Sequence, residues 1–235
     1  MYQLSPNVYA CTTGRNCMFL DLMRDRYLSV PQALMDELAP QIRAWHLPSD
    51  PQRQKDLPQT DLTQLINDLL AAGILRPCGA DLTVRSSLPP TASRDLTSIG
   101  SNGAAPATRI HRGGVFSALV TADFALRRIP LAKIVQRISS HPTREGDHHA
   151  IRDHNSACAL TTRFLAFRPW YPKDYVCLFD SLALTLFLLR HRIRASWVFG
   201  VREDPFAAHC WVQYGTTALN DHLDRTRLYT PIMAV

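Results

Sequence analysis

The fold class follows from CLFDSLALTLFLLRHRIRASWVFGVREDPFAAHCWVQYGTTALND, residues 177–221. Its first part, residues 177–192, is apolar nearly all round, which predicts a central, buried helix. The segments ASWVFGVR, AHCWVQY and TALND that follow have strand composition and are separated by turn signals. RLYTPIMAV, close to the last residue, is a further strand candidate. This part of the chain therefore predicts a helix followed by an antiparallel sheet.

Upstream of this stretch, Ser, Thr, Pro, Gly and Ala dominate residues 83–114. This composition buries too little apolar surface to fold, so it predicts a flexible linker. After it, helices are predicted over residues 115–129, 131–140 and 147–167. Helices first and strands afterwards predict an α+β domain over residues 115–235.

The N-terminal part has a different pattern. VYACT, CMFLDL and RYLSV are separated by short turns and predict three strands within residues 7–30. Pro31 opens an amphipathic segment, and TDLTQLINDLLAAGIL, which Thr60 can cap and Gly73 can end, predicts a second helix. Three strands followed by helices predict a small winged-helix-like domain over residues 1–82.

The charge is uneven along the chain. Residues 1–82 hold 7 Lys or Arg against 9 Asp or Glu, and residues 83–235 hold 19 against 11. A basic C-terminal half can attract nucleic acid, a membrane or an acidic peptide, but its arginines are scattered rather than arranged in a stripe. The helix with Asp61 and Asp68 has no Lys or Arg, which argues against DNA binding by a winged helix. We expect no nucleic-acid partner. A sheet edge beside an apolar helix favours an extended peptide instead.

The cysteines and the hydropathy indicate the compartment. The six cysteines form neither a Cys-x-x-Cys pair nor a zinc-knuckle spacing. The first residues, MYQLSPNVYACTTGRN, lack the charged and apolar regions of a signal peptide. The longest apolar stretch is too short to span a bilayer and contains Asp180, so no membrane span is predicted. We expect a cytoplasmic protein with reduced thiols.

The 208–221 hairpin places a histidine and an aspartate together. With Gly215 at its tip, Trp211 faces Leu219 and His209 faces Asp221. Directly opposed residues project from the same sheet face. The carboxylate can then fix the tautomer of His209 and leave its other ring nitrogen for chemistry.

Cys177 is the candidate nucleophile for this pair. It lies in the first turn of the central helix, where unpaired amides and the helix dipole favour a thiolate. His209 would lower its pKa further and could protonate a leaving amine. A cysteine on a helix followed by His and Asp on strands is the order of papain-like and transglutaminase-like enzymes. The alternative is that Cys177 and His209 are structural core residues.

Other candidates are weaker. Ser181 lies one turn after Cys177 and is more often a packed hydroxyl than a nucleophile. Cys210 follows His209 and is expected to point to the opposite sheet face, into the core. One further cluster has only loose metal spacing and is interpreted as a solvated polar segment, so no metal site is predicted; its members are His148, His149, His154 and Cys158.

Residues 177–221 closely resemble the C-terminal region of lasso-peptide B proteins, the leader peptidases of lasso-peptide biosynthesis, and YTPIMAV has the same look. The resemblance implies a transglutaminase-like fold with a Cys-His-Asp triad. The Cys of CLFDSLAL, the His of AHCWVQ and the Asp of LND match that triad. They correspond here to Cys177, His209 and Asp221.

The segments LSPNVYA, FLDLMRDRYLSV and LLAAGIL resemble the PqqD-like element that binds precursor leader peptides. The resemblance implies that the leader adds alongside residues 26–30 and packs on the helix 61–72. The implied leader-binding residues are Arg26, Tyr27, Leu28, Ser29, Val30, Leu62, Leu65 and Leu69.

The implied function is proteolytic removal of the leader from a lasso-peptide precursor. This step frees the N-terminal amine of the core for macrolactam closure by a separate ATP-dependent cyclase resembling asparagine synthetase. We expect no bound cofactor, since no phosphate loop is visible, and any ATP dependence would arise through the cyclase. Three alternatives stay open: an amide-forming acyltransferase with the same triad, a non-catalytic precursor chaperone, and a winged-helix regulator.

Overall fold

The computed structural model describes residues 1–45, 47, 62–79, 88–96, 112–141 and 150–235, without the side chains of residues 150–153. The chain folds as two compact units. The first contains the described residues up to Gly79, and the second contains most of the described residues from Leu88 onward. Both helices and strands are present, so the α+β class is confirmed.

The first unit contains two small antiparallel sheets. The strands β1 (Tyr2–Leu4) and β5 (Leu75–Pro77) pair with each other. The other sheet has the order β2-β3-β4, with β2 (Val8–Thr13), β3 (Asn16–Asp21) and β4 (Arg26–Pro31). The three strands predicted within residues 7–30 are therefore present. β4 is an edge strand among the residues that the structure describes.

Two helices cover the apolar side of this unit. The first, α1 (Gln32–Leu38), continues into a 3-10 turn, Ala39–Gln41, and the second is α2 (Leu62–Ala71). Pro31 occupies the N-cap of α1, where its missing N–H costs no intrahelical hydrogen bond. Phe19 of β3 and Met35 of α1 are fully buried in the core that these elements share. The apolar periodicity of the sequence thus marked the faces that pack.

The second unit is built around one helix. Its helices are α3 (Arg112–Arg128), α4 (Leu131–Ser139), α5 (Ala150–Phe167) and α6 (Cys177–Arg190). α6 packs against α3 and α5. Three consecutive residues, Leu182, Ala183 and Leu184, are fully buried although they point about 100° apart around the axis. The prediction of a central helix over residues 177–192 is confirmed, and the helix ends two residues earlier.

A five-stranded sheet carries the rest of the C-terminal half, in the order β10-β7-β8-β9-β6. Its strands are β6 (Arg94–Asp95), β7 (Ser196–Arg202), β8 (Ala207–Tyr214), β9 (Thr217–Ala218) and β10 (Thr230–Ala234), and α7 (Leu223–Thr226) connects the last two. The side chains of Trp197, Val201 and Val212 on the central strands are fully buried. The strands predicted from sequence are present, but the third is shorter than TALND.

The segment predicted as a flexible linker differs from expectation in its described parts. Residues 83–87 and 97–111 lie outside the described residues. Arg94 and Asp95, however, form β6, which pairs in parallel with Thr217 and Ala218 of β9. Parallel pairing requires a long connection between the two strands, and the helices in between supply it. The sheet is therefore mixed rather than purely antiparallel, and α3 begins at Arg112, inside the predicted linker.

None of the helices among the described residues is both long enough and apolar enough to cross a bilayer.

Candidate active site

A buried arginine organises the loop before α6. The side chain of Arg168 is 1% exposed and forms an ion pair with Asp180 in the first turn of α6. Its Nη2 donates to the backbone carbonyls of Lys173 and Asp174, each at 3.0 Å. The guanidinium also lies 4.4 Å from the centre of the Tyr175 ring. Because one buried cation satisfies these groups together, it fixes the loop that leads into the helix.

Cys177 is the first residue of α6. The preceding residue, Val176, has an extended backbone, and its amide donates to Asp180 Oδ2 at 2.8 Å, which closes the first turn. Cys177 is half-buried. The helix terminus therefore presents a thiol whose neighbours include backbone amides without intrahelical acceptors, an environment that favours negative charge.

His209 and Asp221 meet as the sequence suggested, but not in the predicted register. Gln213 pairs with Ala218 and Tyr214 pairs with Thr217, so the hairpin has a two-residue turn and not a tip at Gly215 alone. The predicted pairing of Trp211 with Leu219 and of His209 with Asp221 is wrong by one residue. A slip of one residue would put the two side chains on opposite faces if the ladder continued.

The ladder does not continue, because β9 ends at Ala218. Leu219 makes one more backbone bond to β8, after which the chain leaves the sheet and Asp221 Oδ2 bonds to Nε2 of His209. The other carboxylate oxygen of Asp221 accepts from the amide of His222 at 2.8 Å. His209 is 7% exposed, so the pair is shielded from water. With Nε2 engaged, Nδ1 is the ring nitrogen left for Cys177.

The charges of Cys177 and His209 stabilise each other. Hydrogen bonds from the Cys210 thiol and from His209 lower the pKa of Cys177 to about 4, against the effect of its desolvation. Burial alone would lower the pKa of His209, but its bonds to Asp221 and Cys177 outweigh burial and raise it to about 9. Between these two values the pair is a thiolate and an imidazolium, the reactive form of a cysteine nucleophile.

Cys210 belongs to the site, although the sequence pattern indicated only a core position for it. It is 4% exposed, as a core residue should be, yet its thiol interacts with Cys177. That interaction, followed by burial, raises the pKa of Cys210 well above its ordinary value, so the thiol stays protonated. Strand alternation correctly turned Cys210 into the core. Its nearness to Cys177 depends on the contact between α6 and β8, which local sequence patterns do not show.

The weaker candidates from the sequence lie outside the triad. Ser181 is fully buried and donates to the carbonyl of Cys210 at 3.1 Å, so a substrate cannot reach it. His154 bonds through Nε2 to Thr217 Oγ1 at 3.0 Å, and Cys158 lies beside it. His148 and His149 lie outside the described residues.

The residues implied in leader binding divide into two groups. Arg26, Tyr27, Leu28, Ser29 and Val30 form most of the edge strand β4. Its start lies beside the end of α2, since Arg26 Nη2 donates to the carbonyl of Ala72.

On α2 the side chains of Leu62 and Leu65 are partly exposed. Leu69, by contrast, is 3% exposed in the domain core, as Val30 is at 7%. A peptide bound to this face would therefore meet Leu62 and Leu65 and could not reach Leu69 or Val30, since both are already packed.

Comparison with known protein families supplies the identity of the C-terminal half. Residues 117–234 match the model of the transglutaminase-like superfamily. No curated protein and no solved structure matches the chain. The match confirms the transglutaminase-like character expected from the sequence, and it indicates activity of the cysteine-peptidase or acyltransferase type. The chain belongs to the transglutaminase-like superfamily.

Proposed function

We propose that this protein is a cysteine peptidase that binds the leader of a lasso-peptide precursor and cleaves it off. The cleavage frees the N-terminal amine of the core peptide for macrolactam formation by a partner cyclase that uses ATP and resembles asparagine synthetase. The observation that carries the catalytic part is that Cys177, at the start of α6, interacts electrostatically with His209, which in turn bonds to Asp221. The resemblance of residues 177–221 to lasso-peptide B proteins supports the choice of substrate.

Acylation would begin with the Cys177 thiolate. Its sulfur attacks the carbonyl carbon at the end of the leader, and the C–N bond to the core breaks. His209, protonated at neutral pH, gives its proton to the departing amine. Asp221 keeps the ring oriented and stabilises its positive charge. The leader is then held on Cys177 as a thioester.

Deacylation would use the same residues in reverse. His209, now neutral, takes a proton from water, and the resulting hydroxide attacks the thioester and releases the leader as a free acid. The backbone N–H of Cys177, in the first turn of α6, would donate to the oxyanion in both steps. No bound cofactor is needed for either step, since every proton moves between the triad, water and the peptide.

The N-terminal unit would supply the selectivity. An extended leader can pair with the edge strand β4 and place apolar side chains on Leu62 and Leu65 of α2. Main-chain pairing contributes affinity, and the apolar contacts choose among peptides. Tethering the leader in this way raises the concentration of the scissile bond near Cys177, so a triad of low intrinsic selectivity can cut one peptide at one place.

An amide-forming acyltransferase is the second candidate, because the superfamily includes that type of activity and the same triad would serve it. The two differ only in the acceptor that attacks the thioester. Water gives a free leader acid, whereas an amine gives a leader extended by that amine.

The test is mass spectrometry of the precursor peptide after incubation with this protein, with and without the cyclase and ATP. We expect free leader acid and free core, and no cleavage by the Cys177→Ala variant. A leader joined to an added amine would favour the acyltransferase. Cleavage that survives Cys177→Ala would contradict the proposed nucleophile. An intact precursor that nevertheless binds tightly would indicate a chaperone.

A further inference from the structure

The side-chain amide of Asn220 joins two elements of the catalytic unit. Its Oδ1 accepts from the backbone N–H of Val212 on β8 at 2.7 Å. Its Nδ2 donates to Ser181 Oγ on α6 at 2.9 Å. Both ends of the amide are therefore hydrogen-bonded, the oxygen as an acceptor and the nitrogen as a donor.

Ser181 continues the chain of hydrogen bonds. Its hydroxyl donates to the carbonyl of Cys210 on β8 at 3.1 Å while it accepts from Asn220. Ser181 is fully buried, so water does not compete for these bonds. Bonds of this kind in a water-free environment are stronger than on the surface, and losing one partner leaves the others unsatisfied.

Each member of this network lies next to a triad residue. Ser181 is one turn after Cys177 on α6, and the Cys210 carbonyl follows His209 on β8. Asn220 immediately precedes Asp221. The three elements that carry the triad are thus tied together by three hydrogen bonds that leave the triad side chains free.

The amide also explains how Asp221 reaches His209. Leu219 still bonds to β8, since its N–H donates to the carbonyl of Val212 at 2.8 Å. At the next residue the side chain of Asn220, in place of a backbone carbonyl, accepts from Val212. The main chain at residues 220–221 is thereby released from the ladder, and Asp221 can turn toward His209.

We propose that Asn220 and Ser181 are positioning residues that hold Cys177, His209 and Asp221 in their mutual geometry. The inference rests on the proposed role of Cys177 as the nucleophile. It assigns to Ser181 a function other than nucleophilic attack, and it identifies in Asn220 a residue that the sequence pattern did not single out.

Alkylation of Cys177 by iodoacetamide tests this without any peptide substrate. The rate is followed from pH 4 to 9 on the full chain, and mass spectrometry of the Cys177 peptide separates it from the other thiols. Wild-type Cys177 should react at pH 6 nearly as fast as at pH 8, because its pKa lies at about 4. Asn220→Ala should lower the rate at pH 6 at least about tenfold and shift the profile toward that of an ordinary thiol near pH 8.5.

Gln213→Ala is the matched control. Gln213 is also a buried amide on β8, and its Nε2 donates to the carbonyls of Pro90 and Gly215 at 2.6 and 2.7 Å. Its loss should lower the melting temperature but leave the alkylation profile of Cys177 in place. If both variants shift the profile equally, the effect is general loosening and the proposal is overturned.

Ser181→Ala keeps the test decisive if Asn220→Ala does not fold, since it removes one hydroxyl and little volume. It should also lower the rate of Cys177 alkylation at pH 6, by about threefold or more. A wild-type profile in both variants would overturn the positioning role while leaving the proposed peptidase intact. If wild-type Cys177 itself reacts like an ordinary thiol, it is not a thiolate at neutral pH, and the proposed function is contradicted as well.

Discussion

Asp221 bonds to His209 from a segment that has already left the sheet. β9 ends at Ala218, three residues earlier, so no backbone ladder fixes the carboxylate. Its position depends on side-chain contacts on either side of it. The Asp221 contact is therefore the part of the site most sensitive to local substitutions.

Asp221→Asn should lower kcat/KM for leader removal by about 10² to 10⁴-fold, since an amide cannot stabilise the imidazolium. The Asp221 bond is a main cause of the raised pKa of His209, so the alkaline limb of the pH profile should move to lower pH. Steady-state kinetics between pH 5 and 10 measure both effects. Asp224→Asn, an exposed carboxylate on α7, is the control and should behave as wild type.

The wild-type pH profile of acylation should be a broad plateau. The rate falls below about pH 4, where Cys177 gains a proton and loses its nucleophilic form. It falls again above about pH 9, where His209 loses the proton that the leaving amine needs. Alkylation of Cys177, which needs only the thiolate, should follow the acid limb but not the alkaline one. Coincident alkaline limbs for the two reactions would show that His209 is not the proton donor.

The pairing of the buried Arg168 with Asp180 gives a stability prediction. Arg168→Met should lower the free energy of unfolding by about 3–5 kcal/mol, because it leaves a largely buried carboxylate and three backbone carbonyls without their donor. Arg127→Met removes the ion pair between Arg127 and Asp123. Because Arg127 is 69% exposed, this change should lower the free energy of unfolding by less than about 1 kcal/mol. Urea denaturation compares them, and equal costs would be inconsistent with a structural role for Arg168.

The outward amides of β4 allow a test of leader binding. Gln32 N donates to Arg15 O, and alternation along the antiparallel ladder then turns the amide of Ser29 away from β3. Ser29→Pro removes that donor from an edge strand, where proline is tolerated, and should weaken leader binding about tenfold. Ser29→Ala keeps the amide and should bind normally. Calorimetry with the leader peptide decides, and equal binding by both variants would argue against strand addition.

Much of this architecture could be predicted because it depends on local periodicity. The all-round apolar pattern marked α6 as central, and strand composition between turn signals marked β7 and β8. The turn of the catalytic hairpin could not be located to one residue, since Gly215 and Thr216 form it together. In the observed register, His209 and Asp221 would lie on opposite faces of the sheet if β9 extended as far as Asp221.

What the sequence could not show depends on contacts between elements distant in sequence. The interaction of Cys210 with Cys177 and the Asn220–Ser181 bond exist because α6 packs on β8. No spacing rule links residues 33 or 39 positions apart on a helix and a sheet. Helix periodicity also does not separate core positions from surface positions. The same apolar stripe of α2 contains the buried Leu69 and the partly exposed Leu62 and Leu65.

The central claim is acyl transfer to Cys177, and the most direct measurement is the mass of the enzyme quenched in acid during turnover of the precursor. We expect an adduct equal to the leader acyl group on the Cys177 peptide, increased in Asp221→Asn if deacylation slows more than acylation, and absent in Cys177→Ala. Leader release by Cys177→Ala at the wild-type rate, without any adduct on the wild-type enzyme, would contradict the claim.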